Sequence, residues 1–258
     1  MSSRPVVPPA TIGMLGGGQL GRYALLAART MGYRTLVVDP DPSAPAGAVA
    51  DDQLVAEYDD AQALGRMVLD CDVVTTEFEN PPAAALEHLA ARVRVAPSPG
   101  AFRVAQDRIV EKRFLVDNGF PVGPYVALER ADQPIESTLL EDAGAVVKTA
   151  RLGYDGKGQR RVATVPEGHA AWAELGGVPC VVERRLDFEL ELSALVARTA
   201  DGRTEAWPVA ENRHVGGILD VSVVPAMVPA VVADRAVGLA TAIADALDYV
   251  GVLAVELF

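Results

Sequence analysis

Between Lys148 and Gln159 the chain reads KTARLGYDGKGQ, with Gly153, Gly156, Gly158 and two lysines, Lys148 and Lys157, in one short stretch. AVVKT precedes it and QRRVATV follows it, both rich in β-branched residues, so the order is strand, glycine loop, strand. A P-loop instead runs from a strand into a helix and ends GK[ST]. Here Gly158 and Gln159 follow Lys157, and the metal-binding hydroxyl of a P-loop is missing. A glycine hairpin can still cradle phosphate, because backbone N–H groups without Cβ atoms approach anionic oxygens closely. Lys157 adds a mobile positive charge, and Lys148, on the preceding strand, a fixed one. The alternative is a flexible turn with incidental lysines.

A second glycine cluster has a different context. Residues 11–14 read as a strand, GGGQLGRYALLAARTMG as a turn running into a helix, and YRTLVVDPD as another strand, which makes a β-α-β unit. Gly16, Gly18 and Gly21 satisfy G-x-G-x-x-G, and Asp39 falls where a ribose-binding acid would stand. Any helix N-terminus presented to an anion, or packed tightly against its strand, needs the same glycines. Strands at 50–55 and 71–75, with a helix at 60–69 between them, extend a parallel sheet that RVRVAPSPG closes. In TTEFENPPAAALEHL, Glu77 and Glu79 fall at the carboxyl ends of the strands, where open α/β sheets bind ligands. They also suit the dipole of the next helix. His88, inside that helix, reads as a surface or packing residue.

From Gln106 the pattern changes, and the spacing predicts a domain boundary near Pro99. The expected domains are 1–98, 99–185 and 186–258. DRIVEKRFLVDNGF is a charged amphipathic helix and PVGPYVAL a proline-flanked entry into a strand. Trp172 reads as helix packing. VPCVVERRLDFELELSALVAR gives a strand with Glu183, a turn, and a strand with Glu189 and Glu191 on one face at period two. His214 lies beside a Gly-Gly turn, VVADRAVGLATAIADALDYVG is a long helix, and in VLAVELF Glu256 interrupts an apolar strand, a costly place for an acid unless paired or metal-bound. The net charge of −12 and pI of about 4.7 disfavour nucleic-acid and anionic-membrane surfaces. Cys71 and Cys180 fit no metal spacing and read as buried thiols. With no secretory or membrane-spanning run, a cytoplasmic protein is expected.

These residues resemble the ATP-grasp superfamily, and within it the N5-carboxyaminoimidazole ribonucleotide synthetases of purine biosynthesis. The resemblance runs from about residue 10 to the end. It is carried by GGGQLGR (16–22), TEFEN (76–80), QDRIVEKRFL (106–115), VVKTARLGYDGKGQ (146–159), VERRLDFELELS (182–193), NRHVGGILDVS (212–222) and GVLAVELF (251–258). It implies an α/β fold, with an N-terminal Rossmann-like parallel sheet followed by α+β grasp subdomains: a small or lid subdomain at 99–185 and a large one at 186–258. By resemblance, Arg108 and Lys148 bind ATP phosphates. Gly153, Tyr154, Asp155, Gly156, Lys157, Gly158 and Gln159 form a lid loop, with Tyr154, Asp155 and Lys157 at the reacting centre. Glu183, Arg184, Arg185 and Leu186 form the adenine-contacting connection, Glu191 binds ribose, and His214 lies in the nucleotide site. Glu256 is the first of two magnesium carboxylates, and Gln19, Leu20 and Glu77 hold the aminoimidazole ribonucleotide.

The implied cofactors are ATP and Mg2+, with Mn2+ as a substitute. The implied partners are 5-aminoimidazole ribonucleotide, bicarbonate and a second copy of the chain in a homodimer, with no nucleic acid and no membrane. The implied reaction activates bicarbonate as carboxyphosphate, which asks for positive charge around a transferring phosphate and for exclusion of water. The family pattern continues past Glu256 into a second acidic strand, so the chain reads as truncated at its C-terminus, with its own activity in question. Competing readings are another ATP-grasp ligase, a nicotinamide oxidoreductase built on Gly16, Gly18, Gly21 and Asp39, and a non-catalytic nucleotide-binding module.

Overall fold

Alternating strands and helices over the first hundred residues produce a parallel sheet. The computed structural model describes residues 5–141, 143–153, 157–216 and 218–258. In chain order the first elements are β1 (Thr11–Leu15), α1 (Gln19–Thr30), β2 (Arg34–Asp39), β3 (Asp52–Val55), α2 (Ala61–Asp70), β4 (Val73–Thr76), α3 (Ala83–Ala90), β5 (Arg94–Val95) and α4 (Pro99–Ala105). The sheet order is β3-β2-β1-β4-β5, parallel at every pairing. Both faces are covered, as a parallel sheet requires. Leu15, Leu36 and Val38 pack with Leu64, Met67, Leu86 and Leu89 on one face, while Met14 and Val37 meet Leu25 and Ala46 on the other.

Two of these strands start later than the sequence suggests, because aspartates replace ladder bonds at their mouths. The Asp51 carboxylate accepts from Thr35 N at 2.8 Å, so β3 begins at Asp52. Asp72 accepts from Thr11 N at 2.8 Å, and β4 begins at Val73.

The remaining elements are α5 (Arg108–Asp117), β6 (Tyr125–Leu128), a 3-10 turn at Ser137–Leu140, β7 (Ala145–Thr149), β8 (Gln159–Val162), α6 (Val165–Glu174), β9 (Cys180–Arg184), β10 (Glu191–Arg198), β11 (Thr204–Ala206), β12 (Ala210–Val215), β13 (Ile218–Val223), α7 (Ala230–Ala246) and β14 (Gly251–Leu257). They form two sheets. The smaller is β6-β9-β7-β8, antiparallel throughout. The larger is β11-β10-β12-β13, with β14 on β10. Backbone contacts divide the chain into two compact units, residues 1–103 with 249–251, and residues 104–248 with 252–258.

In the smaller sheet Leu128, Val147, Cys180 and Val182 bury one face with Ile135 and Ala171. On the other face Val181 packs with Ile109 of α5. In the larger sheet β10 buries Leu192, Ala194 and Val196 and turns Glu191, Ser193 and Leu195 the other way. Helix α7 lies against β10 and buries Ala236, Ala240 and Ala244, a small-residue stripe at helical spacing.

Two sequence expectations need correction. Glu189 does not share a strand face with Glu191, because β10 begins at Glu191. Phe188 in the connection instead packs its ring 5.2 Å from Phe258. The strand expected through QRRVATV stops at Val162, because Thr164 caps α6. Thr164 Oγ1 accepts from Glu167 N at 3.3 Å, and Glu167 Oε2 accepts from Ala163 N at 2.8 Å. The pair forms a capping box shifted by one residue at its return bond.

Candidate active site

In the first unit the strand order reverses between β1 and β4, the switch point at which doubly wound sheets bind ligands. The glycine turn leaves β1 there and Glu77 leaves β4. Gly16 turns the chain with φ of 97°, a left-handed conformation natural to glycine. Glu77 Oε2 then accepts from Gly21 N at 2.6 Å, at the N-terminus of α1. Gly18 is required by closeness: a Cβ there would stand 2.1 Å from Glu77 Oε1. The turn is thus shaped around the protein's own carboxylate. Gln19 and Leu20 open α1 and are exposed, Leu20 at 70%.

Asp39 is buried and committed to structure. It accepts from Gly17 N at 2.7 Å, Asp41 N at 2.9 Å and Tyr58 Oη at 2.9 Å. Burial, then the bond to Asp39, pushes the Tyr58 hydroxyl far above its ordinary range. Tyr58 in turn packs against Phe78, ring centroids 5.3 Å apart. An acid already holding three protein donors is not presented to a nicotinamide ribose, and this removes the main support for the oxidoreductase reading. A cavity of about 610 Å³ lined by Val7, Ala10, Asp72 and Arg94 lies at the opposite end of the same strands, away from the glycine turn.

In the second unit, one face of the smaller sheet gathers charge. Tyr125 and Val146 are the cross-strand partners of Glu183 on β6 and β7, and Lys148 is two residues beyond Val146, hence on the same face. Helix α5 covers this face through Ile109, and Lys112 follows it at i+3. Glu183 then bridges two ammonium groups: Lys148 Nζ is 2.8 Å from Oε2 and Lys112 Nζ 3.1 Å from Oε1. Lys112 also lies 5.2 Å from the Tyr125 ring centroid. Burial alone would raise the Glu183 carboxyl, but Lys148 and Lys112 together hold it below the ordinary glutamate value.

Arg108 staples the root of the glycine loop. Its Nη1 donates to Thr149 O and its Nη2 to Gly153 O, each at 3.0 Å, and its backbone N donates to Ala150 O at 2.9 Å. Arg151 Nη2 donates to the buried Gln106 Oε1 at 2.8 Å. Gly158 has φ of 70° and a Cβ there would fall 2.7 Å from Thr149 Oγ1; its carbonyl accepts from Thr149 N at 2.9 Å. Leu152 takes φ of 62° without being glycine, a strained conformation next to the expected phosphate loop. Gln159 pairs with Lys148 across β8 and β7, and Lys157 lies in the turn before it. Tyr154, Asp155 and Gly156 lie outside the described residues.

Beyond Glu183 the chain leaves β9. Arg184 turns away from the lysines, its guanidinium donating to Thr138 O, with Glu141 at 3.9 Å. Arg185 donates its backbone N to Gly144 O at 2.9 Å and exposes its side chain. Leu186 is 41% exposed, an apolar surface at the strand exit.

The larger sheet carries a cavity of about 630 Å³ lined by Ser193, Trp207, Asn212, His214, Ser222 and Glu256. Asn212 is fixed there, donating to Ser193 Oγ at 2.7 Å and accepting from Ser222 at 2.8 Å. His214 Nδ1 lies 3.2 Å from Glu191 Oε2. Burial, and then Glu256 against the opposing pull of His214, raises the Glu191 carboxyl. Glu111 of α5 is also raised, by desolvation and by Glu183 and Glu256, against Lys112 and Arg108. Among the described residues no group of three or more His, Cys, Asp and Glu side chains could hold a metal ion. A single carboxylate such as Glu256 suits a metal held chiefly by phosphate oxygens and water, the usual habit of Mg2+.

A family model described as the ATP-grasp domain matches residues 113–258, and one described as the ribonucleotide synthetase preATP-grasp domain matches residues 9–106. The N5-carboxyaminoimidazole ribonucleotide synthase of Brucella melitensis biotype 1 is 41% identical over 100% of this chain and 72% of its own length. The chain belongs to this ATP-grasp family. A crystal structure of an ADP complex of N5-carboxyaminoimidazole ribonucleotide synthetase superposes with a TM-score of 0.93 at 38% identity, over 100% of this chain and 68% of that one. The synthase of Aspergillus clavatus, in complex with ADP and 5-aminoimidazole ribonucleotide, gives a TM-score of 0.83 at 27% identity, over 96% and 66%. In this synthase-family chain, Arg108, Lys148, Gly153 and Glu183 come together on α5 and the smaller sheet, and Glu191, His214 and Glu256 on the larger sheet. Gln19, Leu20 and Glu77 lie in the first unit. Sequence reading missed Lys112 and Asn212. Helical spacing from Arg108 and Ile109 could have found Lys112; nothing local marks Asn212.

Proposed function

We propose that the chain is an ATP-dependent ligase that carboxylates 5-aminoimidazole ribonucleotide with bicarbonate, in purine biosynthesis. A bicarbonate oxygen attacks the γ-phosphorus of ATP and ADP leaves. The exocyclic amine of the ribonucleotide then attacks the carboxyl carbon, phosphate departs with the bridging oxygen, and the amine loses its proton. The observation that carries this reading is family membership along the whole chain, joined to a set of cations at the root of a glycine loop.

Within this reading Lys148 binds transferring phosphate, and Arg108 holds the loop root at the position where backbone amides meet it. Lys157, with Tyr154 and Asp155, acts at the reacting centre. Residues 183–186 receive the adenine, Glu191 the ribose, and His214 orients Glu191. Mg2+, when bound at Glu256, supplies charge neutralisation on the phosphates. Glu77 accepts a hydrogen bond from the ribonucleotide, with Gln19 and Leu20 beside it on α1.

The subdomain division at 99–185 and 186–258 is supported by the two separate sheets, which occupy residues 125–184 and 191–257. No helix of the described residues is long and apolar enough to cross a membrane. A cytoplasmic homodimer completes the proposal, and sedimentation tests the oligomer. The reaction is tested by coupled ADP release. Dependence on both bicarbonate and 5-aminoimidazole ribonucleotide is expected; release indifferent to either refutes it.

A further inference from the structure

Lys112 is the cation that the phosphate-site reading leaves without a task. Its side chain is 17% exposed against 31% for Lys148, and it is packed between the Tyr125 ring and the far oxygen of Glu183. Glu183 has two oxygens, and each has taken one ammonium group. Without Lys112, Lys148 and Glu183 would form a neutral pair. An incoming phosphate would then meet a carboxylate about as near as the ammonium meant to bind it. With Lys112 the three groups keep one net positive charge, and Lys148 can turn from Glu183 to an anion without leaving that carboxylate unpaired. A buried carboxylate that loses its only partner is strongly disfavoured, which would bind Lys148 to Glu183.

We propose that Lys112 is a positioning residue. It neutralises Glu183 Oε1, so that Lys148 can leave Oε2 for a nucleotide polyphosphate without stranding the carboxylate. Lys112 does not itself touch phosphate. The inference rests on the reading of Lys148 as a phosphate ligand.

Two features of the fold support it. Lys112 and Arg108 are i,i+4 on α5, and Ile109 between them is buried against Val181, so the helix sets these two of its cations on one side. Tyr125 is opposite Glu183 in the register of β6 and β9, which places an aromatic face beside the ammonium that pairs with Oε1.

The test measures ATP and adenosine binding by titration calorimetry for Lys112→Gln, Lys112→Arg, Lys148→Met, Glu183→Gln and the Lys112→Gln/Glu183→Gln double variant, with melting temperature as a check on folding. Lys112→Gln is expected to weaken ATP roughly tenfold, the scale of one charge-assisted contact, and to leave adenosine within twofold. Lys112→Arg is expected to restore most of the loss. In the Glu183→Gln background the Lys112→Gln effect should shrink to under about threefold, since no carboxylate remains to be neutralised. A loss that persists in full in that background would show that Lys112 acts on phosphate directly, and would overturn the proposal. Equal losses for ATP and adenosine would show a structural role and overturn it as well. If Lys148→Met binds ATP normally, the underlying phosphate-site reading fails. If Lys148→Met loses ATP and Lys112→Gln does not, this inference alone fails.

Discussion

Replacing Glu77 by glutamine separates the two units of the chain. In the structure Glu77 Oε2 accepts from Gly21 N at 2.6 Å, and Oε1 lies over Gly18. A hydrogen bond to a charged group contributes about 1.5–3 kcal/mol net, against about 0.5–1.5 kcal/mol for a neutral one. Glutamine keeps one oxygen for Gly21, so the change should cost about 1–1.5 kcal/mol of stability. For a chain of this size that lowers Tm by about 2–6 °C. If Glu77 also accepts from the ribonucleotide, that contact weakens by a similar amount, a fivefold to tenfold loss of affinity. ATP binding should not move, because Glu77 belongs to the unit of residues 1–103 and the phosphate-site lysines to the other. Calorimetric titration of each ligand, with a thermal melt on the same samples, reads all three effects. Equal loss of both ligands would make Glu77 purely structural, and unchanged ribonucleotide affinity would remove it from the site.

Gly18→Ala should reproduce the Glu77→Gln loss of ribonucleotide affinity, since a methyl 2.1 Å from Oε1 must displace the carboxylate; retained affinity with a normal melt would contradict the geometry. Lys148→Ala should weaken ATP about tenfold to a hundredfold, from the loss of one charge-assisted bond. Its melting temperature should stay near the parent's, because Lys112 still pairs Glu183; an unchanged ATP isotherm would refute the assignment. The Glu183 carboxyl is held low, so its stabilisation is present above the unfolded glutamate value of about 4.3 and is lost as pH falls through the lower folded value. The melting-temperature gap between the parent and Glu183→Gln should therefore be full at pH 7 and close below about pH 4; a gap independent of pH would show that charge pairing is not its source.

The parallel sheet was legible because its strands are apolar runs bounded by glycine and proline, and because β-α alternation leaves few topologies. The strand-loop-strand order of residues 145–162 was equally plain. Strand starts at Asp52 and Val73 were not, because they depend on Asp51 and Asp72 reaching residues far away in sequence. Glu77 was found from its place at the end of β4, but not the reason for the glycines, which is the room its carboxylate occupies. Asp39 had a motif-based role that the structure replaces: Gly17 N, Asp41 N and the Tyr58 hydroxyl surround it. The Lys112–Glu183–Lys148 bridge was invisible for the same reason. It joins a helix to two strands, and pairing register, which no local pattern encodes, brings the side chains together.

In the proposed reaction a bicarbonate oxygen attacks phosphorus before carbon meets nitrogen. Turnover with 18O-labelled bicarbonate, ATP and 5-aminoimidazole ribonucleotide, followed by mass analysis of the released phosphate, tests it most directly. One labelled oxygen is expected in each phosphate released, with a matching amount of carboxylated ribonucleotide. Unlabelled phosphate accompanying carboxylated product would contradict it, because the carboxyl group would then have been transferred without passing through a phosphorylated bicarbonate.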